Sequence, residues 1–403
     1  MKRNLAVLAT LSSFVFVAAC GGSDSDGSQS AETPPGEAIK FSVLYPKTGP
    51  GPAPETLSGA EVAAKAINDA GGVAPKAGGD KRPIELVPCD ADNSKNPSQP
   101  AGCAKEVIDK GVVLDVGKYT LSGDEVDVFA KEGVAMLGNS PFGQQDLTND
   151  LSFPLGGAGA SLVPGTAATL QSAGAKKVAY LSFDIPAARA ASDFIKPILE
   201  SPDDLVATTL LPLDPSADLT PFFAKLAAEK PDGIILGVSP GVTAAAVNGL
   251  RQAGFEGIFV ATPYTLTKDS IKALGAEADK LLVTSNFEAL SGSSVPKIKQ
   301  FREEMKKYAP DADLNEFSLN SWLAVHLAAE VAAEVPTIDA AGFAKALNGR
   351  KVDLGVAPAF TLGKQDIYLP FPRVSRATVQ NQKLKDGEIV SDGEWINLND
   401  LAK

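Results

Sequence analysis

The chain has 403 residues, 44% of them hydrophobic, and a formal net charge of -12. That hydrophobic share excludes a disordered solvator, and the roughly 380 residues beyond the N-terminal segment suit two domains better than one core. An acidic body without a basic tract argues against nucleic acid and anionic lipid surfaces as partners.

Lys2 and Arg3 precede an uncharged apolar run from Leu5 to Ala19, and small residues lead into Cys20. The run is too short to span a bilayer as a finished helix, so residues 1–19 read as a removable secretory signal. Val17-Ala18-Ala19-Cys20 resembles the lipobox of a bacterial lipoprotein, whose cysteine is acylated; an ordinary signal with an incidental cysteine is the plainer alternative. Loss of Lys2 and Arg3 with the signal takes the charge to -14. Residues 20–37, Cys20 and the segment after it, are rich in Gly, Ser, Asp and Pro with almost nothing apolar, a composition that makes a disordered tether. The expected location is extracytoplasmic, with a lipid on Cys20 as the one membrane contact. No later stretch has the uninterrupted apolar length of a span.

Residues 39–45 read as a strand and 56–70 as a helix with Val62, Ala66 and Ile67 on one face, stopped by Gly71-Gly72. A strand over 83–89 ends on Cys89, and Cys103 opens a helix running through Val107 and Ile108. These two cysteines, 14 positions apart, can lie within disulfide range in an exported chain, where oxidation is the default; two buried thiols are the alternative. Closing a loop of this length contributes roughly 3 kcal/mol in the chain-entropy model. A single histidine and no further cysteine count against zinc, and no cofactor is expected. Strands follow at 112–117, 134–138 and 178–183, then helices at 187–199 and 219–229. A strand at 233–237, a helix at 242–253 and strands at 257–261 and 281–284 come next, before helices at 295–308, 318–334 and 340–347. Such alternation implies parallel sheets with helices on both faces, where ligands bind beyond the carboxyl ends of strands.

The alternation breaks at 154–159, 286–294 and 354–358, the three crossings that two lobes sharing a hinge require. One lobe is expected to take residues 38–156 and 288–356, the other 157–287 and 357–403.

Leu44-Tyr45-Pro46-Lys47-Thr48-Gly49-Pro50, Gly59-Ala60, Ala66-Ile67-Asn68, Ala70-Gly71-Gly72-Val73, Ile84-Glu85-Leu86-Val87 and Cys89-Asp90-Ala91-Asp92 stand in an order that carries a resemblance. It extends through Val116-Gly117, Gly133-Val134, Gly174-Ala175-Lys176-Lys177-Val178, Pro231-Asp232 and Leu250-Arg251-Gln252-Ala253-Gly254 to Ala278. The chain resembles the leucine/isoleucine/valine-type periplasmic-binding-protein family, the solute receptors of ABC importers. The resemblance implies an α/β type I periplasmic-binding fold, two doubly wound parallel-sheet lobes joined by a three-crossover hinge. It implies a monomer that captures an amino acid or related small solute by hinge closure and hands it to an ABC permease and its ATPase. The Cys89 and Cys103 pair also looks like the disulfide many members carry.

By the same resemblance the ligand's carboxylate meets two first-lobe loops. Tyr119, Thr120 and Ser122 belong to one, Asn139, Ser140 and Phe142 to the other, and both lead toward helix N-termini. These polar residues equally serve as helix caps. In the second lobe, where relatives place an acid for the ligand's ammonium, the chain reads Thr262-Pro263-Tyr264; Asp184 is the nearest replacement anion, or a helix N-terminal residue. Without a paired anion, a neutral or singly anionic solute competes with an aliphatic α-amino acid.

Gly237-Val238-Ser239-Pro240-Gly241 matches a nucleophile elbow, with His326 downstream. Pro240 has no N–H to lend an oxyanion hole, and His326 sits in an apolar helical stretch, so no enzyme is expected. A solute-sensing receptor domain for a signalling partner would share the fold; the chain reaching Lys403 without an output segment favours the importer.

Overall fold

The computed structural model describes residues 36–403 apart from Pro50, Lys95, Leu121 and Pro215. The expected signal, Cys20 and all but the end of the tether lie outside the described residues. No helix among the described residues is long and apolar enough to cross a membrane.

Two sheets carry the molecule. β1 (Ile39–Tyr45), β2 (Ile84–Asp90), β3 (Leu114–Val116), β4 (Ala135–Leu137) and β5 (Ser152–Phe153) form a parallel five-stranded sheet in the order β2-β1-β3-β4-β5. β6 (Val178–Phe183), β7 (Leu205–Leu211), β8 (Gly233–Gly237), β9 (Ile258–Ala261) and β10 (Leu281–Ser285) are the parallel part of a seven-stranded sheet, ordered β10-β9-β8-β6-β7. The central strands are apolar runs buried on both faces, as parallel strands covered by helices must be. β11 (Lys351–Val352) and β12 (Phe360–Thr361) pair as a small ribbon. β13 (Thr378–Lys385) and β14 (Glu388–Asn397) form an antiparallel hairpin that extends the larger sheet from β10. Its two-residue turn, Asp386-Gly387, has positive φ at both positions, 53° and 79°, as a tight hairpin turn requires.

The chain order reverses beside β1 in one sheet and β6 in the other, so the loops beyond these strand ends diverge and leave a cleft. This is the doubly wound, two-lobed α/β arrangement. The larger first-lobe core gathers Phe41, Trp322 and Phe343 around helix Glu316–Glu334, which is buried along most of its length. The second lobe splits its core between the two faces of the larger sheet.

Chain passages join the lobes after β5, after β10 and before β13. Phe360 and Leu362 still pack in the first-lobe core, and Ile367 is already in the second. The third passage therefore runs through residues 363–366, later than the break at 354–358. Glycine-rich 154–159 is a passage only as far as Gly157, because helix Ala158–Ser172 starts there. Cys103 does not open its helix, which runs Gln99–Asp109 with Pro100 in its first turn. Cys103 lies one turn inside, 5.7 Å in Cα separation from Cys89, and the two are joined as a disulfide.

Candidate ligand site between the lobes

The first-lobe wall of the cleft is made by two strand ends set against one helix. β3 and β4 each run into a glycine of positive φ, Gly117 at 67° and Gly138 at 71°. A Cβ on Gly117 would lie 2.5 Å from Ser321 Cβ, and one on Gly138 2.7 Å from Ala324 Cβ, both on helix Glu316–Glu334. The left-handed turn and the close approach each demand glycine. Asn320 of the same helix donates to Gly138 O. The loops leave in parallel: Tyr119 and Ser140 form a bridge, and the Ser140 N–H donates to Lys118 O at 2.8 Å.

A buried polar network ties these loops together. Lys118, fully buried, places Nζ 2.9 Å from Asp146 Oδ1, 3.2 Å from Thr120 Oγ1 and against Glu125. Asn139 Nδ2 donates to Asp146 Oδ1 and to Ser152 Oγ, each at 2.8 Å. Burial alone would lower the Lys118 pKa, but the Asp146 and Glu125 carboxylates outweigh it and hold the ammonium above its ordinary value. Burial also works against the Glu125 charge, and there Lys118 prevails and holds the pKa low. Asp146 is held high, burial exceeding the pull of Lys118. Asp115, which accepts from Ser42 Oγ at 2.7 Å, is pushed up to about 7 by burial. One ammonium thus pairs with two of three buried carboxyls, and burial holds both Asp146 and Asp115 above the ordinary carboxylate range.

The expected hydroxyl and amide contacts are mostly engaged within the lobe. The Thr120 hydroxyl and Asn139 amide belong to the Lys118 network, and Ser122 Oγ accepts from the Asp124 N–H at 3.2 Å, a helix-start contact. Ser140 is placed differently, because its side chain faces the Tyr264 hydroxyl.

Tyr264 crosses from the other lobe. β9 runs on into Thr262-Pro263-Tyr264, turned by Thr265, whose N–H and hydroxyl donate to Thr262 O at 2.9 and 2.8 Å. The Tyr264 ring stacks edge-on to Phe317 at 4.5 Å and Phe142 at 6.3 Å between centroids, while Tyr119 lies 4.6 Å from Phe317 and 5.3 Å from Phe142. Part of the ring stays accessible while the hydroxyl lies deep, facing Ser140 and the Glu316 carboxyl. Burial raises the Tyr264 pKa, and Glu316 adds to it, so the phenol keeps its proton.

Glu316 and Phe317 open helix Glu316–Glu334, and sequence reasoning, which began that helix at Ser318, missed both. The missed signal is Asn315, whose side chain accepts from the Ser318 N–H at 3.1 Å as an N-cap. Reading it as the cap puts an acid and an aromatic ring in the first turn. Glu316 accepts from the Asn286 N–H at 3.3 Å and Ser285 Oγ at 3.2 Å, and burial pushes its pKa up to about 7. Asp184 stands elsewhere: it is exposed, paired with Arg189 Nε at 2.6 Å, and held low by that hydrogen bond.

Ser239 and His326 do not meet. Ser239 heads helix Pro240–Gln252 in the second lobe, whereas His326 lies in the first lobe, 3.2 Å from Glu304 and stacked on Trp322. Among the described residues no group of His, Cys, Asp or Glu is arranged to hold a metal ion.

A family model described as "Periplasmic binding protein" matches residues 38–367. The chain belongs to the periplasmic binding protein family. Members of this family are solute-binding proteins, extracytoplasmic and not enzymes, and solved relatives share the fold. An ABC transporter substrate binding protein from Aeropyrum pernix is 19% identical with a TM-score of 0.74, covering 90% of this chain and 96% of its own. A solute binding protein of an R. palustris ABC transporter, in complex with 4-hydroxybenzoate, is 20% identical at TM-score 0.72, covering 89% and 97%. The branched-chain amino acid transporter substrate binding protein from Streptococcus pneumoniae, in complex with isoleucine, is 16% identical at 0.70, covering 89% and 98%. No curated protein matches the chain in sequence.

Proposed function

We propose that this periplasmic binding protein is the lipid-anchored solute receptor of an ABC importer, a monomer acylated at Cys20 that delivers a small organic solute to the permease and its ATPase. The observation that carries the reading is Tyr264, a second-lobe side chain packed on first-lobe rings with its hydroxyl turned to Ser140 and Glu316. Such contacts exist only when the lobes are shut, and a hinge that shuts is how a receptor of this fold holds a solute. Tyr119, Phe142, Thr262 and Tyr264 wall the cleft, Ser140 offers its hydroxyl there, and Thr120, Ser122 and Asn139 hold the loops in place. Asp184, away from these residues, has Arg189 as its partner and contributes little to solute charge. The aromatic walls suit a solute with a ring or a branched apolar body, the kinds present in the isoleucine and 4-hydroxybenzoate complexes of the relatives.

Native mass spectrometry of gently purified protein, followed by a thermal-shift panel of amino acids, amines and aromatic acids, tests this. A bound solute stabilises the fold by about 2.7 kcal/mol at a hundredfold excess over its dissociation constant. A retained solute or a clear shift is expected. A protein that neither retains nor responds to any solute, and labels at Ser239 with a serine-directed probe, would sink the reading.

A further inference from the structure

Behind the Tyr264–Phe317 wall, between the lobes on the hinge side, lies a second space: a cavity of about 370 Å³, within the range of small-molecule sites. Its floor and walls are apolar, with Leu266 and Ile271 from the second lobe, Phe287 from the hinge and Leu319 from the first-lobe helix. Its charged lining is unequal. Among the described residues, Glu288, Asp313, Glu316, Asp386 and Glu388 line it with Lys268 as the one cation, and Lys268 Nζ is already 2.6 Å from Asp313 Oδ1, across the lobes. Glu316 is the deep member, 2% exposed, with neutral donors at Ser285, Asn286 and the Tyr264 hydroxyl. Arg376 bears on its charge, yet that guanidinium donates to Leu155 O and leaves Nε and Nη1 without partners, so it is not ion-paired with Glu316. Even with Arg376 counted, acids outnumber cations around the cavity.

We infer that this hinge-side cavity binds a small organic cation with an apolar body, its ammonium held by Glu316 and its hydrocarbon part by Leu266, Ile271, Phe287 and Leu319. The inference rests on the solute-receptor reading and names the solute's class and seat. It also supplies the anion missing from the second-lobe loop: the acid comes from the first-lobe helix, one residue before Phe317. A carboxylate buried against neutral donors is poorly compensated, and a cation entering beside it restores the balance. That exchange releases a proton near neutral pH, in keeping with the raised pKa of Glu316.

The test uses one apolar body with three heads: 2-phenylethylammonium, 2-phenylethanol and phenylacetate, titrated calorimetrically into the mature protein at pH 8. The ammonium should bind at least about tenfold more tightly than either other probe, a difference of roughly 1.4 kcal/mol. Glu316→Gln should erase that preference. Lys268→Gln, on the exposed rim, should raise the preference for the ammonium over 2-phenylethanol by a few fold, a ratio in which any change in lobe closure cancels. Equal or tighter binding of phenylacetate, a preference surviving Glu316→Gln, or a smaller ammonium preference in Lys268→Gln each overturns the inference. If no probe binds while native mass spectrometry finds a retained solute, the cavity assignment falls and the receptor reading stands. If neither occurs, both fall.

Discussion

Asp115 shows how the burial of single groups sets the behaviour of the ligand loops. It is fully buried within β3, the Ser42 hydroxyl donates to its Oδ1, and Oδ2 has no partner among the described residues. Its folded pKa of about 7 lies above the ordinary 3.8, so the folded chain keeps a proton that the unfolded chain releases. The contribution to stability is therefore full below the unfolded value and is lost as pH rises through about 7. Asp115→Asn removes the ionisation but keeps an acceptor for Ser42, and Lys118 retains Glu125 and Asp146. The variant should be more stable than the parent at pH 8, by on the order of 1–3 kcal/mol, and nearly equal to it at pH 4. Urea unfolding at the two pH values measures this, and a gain of equal size at both would refute the buried-acid account. None of this was legible in the sequence. Lys118, Glu125 and Asp146 are ordinary surface residue types, and only the fold takes them out of water.

The elements were legible where local pattern and tertiary burial agree. The apolar runs of β1, β6 and β8 announce themselves, and so do the helices that follow them. Helix Ala158–Ser172 was hidden because Gly159, Gly165 and Pro164 are weak helix formers; burial of Leu162, Ala167, Ala168 and Leu170 overrides that preference. β7 was hidden by its half-exposed edge position, and the C-terminal hairpin by its polar residues, though Asp386-Gly387 was a readable turn signal. At this scale the two loop glycines make a sharp prediction. Gly138→Ala would place a methyl group 2.7 Å from Ala324 Cβ at a φ of 71°. Overpacking of this kind costs about 1–3 kcal/mol, and left-handed strain adds to it. Helix Glu316–Glu334 should shift, carrying Phe317 and Glu316 with it, so the variant should lose solute affinity beyond its loss of stability. The same change at Gly174, which has positive φ and open space around its Cβ position, should lower stability slightly and leave binding unchanged. Equal effects on binding at the two sites would contradict the role assigned to the helix contact.

At the scale of the whole molecule, the contacts between the lobes decide how readily a receptor of this fold reopens. Tyr264 on the first-lobe rings and Lys268 on Asp313 are two second-lobe groups that meet the first lobe, beside Arg373, which donates to Ser152 O at 2.8 Å, and Ser285, which donates to Glu316. The surface ion pair contributes at most about 1 kcal/mol, so the aromatic contact does more to hold the lobes together. Tyr264→Ala should therefore move the population toward an open form, visible as a larger radius of gyration in small-angle scattering. Apparent affinity falls in proportion to the closed fraction, so a tenfold drop in that fraction weakens binding about tenfold without a change in the solute's own contacts. Tyr264→Phe separates the two parts of the side chain. It keeps the ring on Phe317 and Phe142 but withdraws the hydroxyl from Ser140 and Glu316, so it should scatter like the parent while the Glu316 carboxyl loses a neutral donor. In that variant a cationic solute gains relative to its uncharged analogue, because Glu316 depends more on the ligand for its partner. If Tyr264→Ala leaves both the scattering profile and the affinity unchanged, closure is carried by contacts other than this ring.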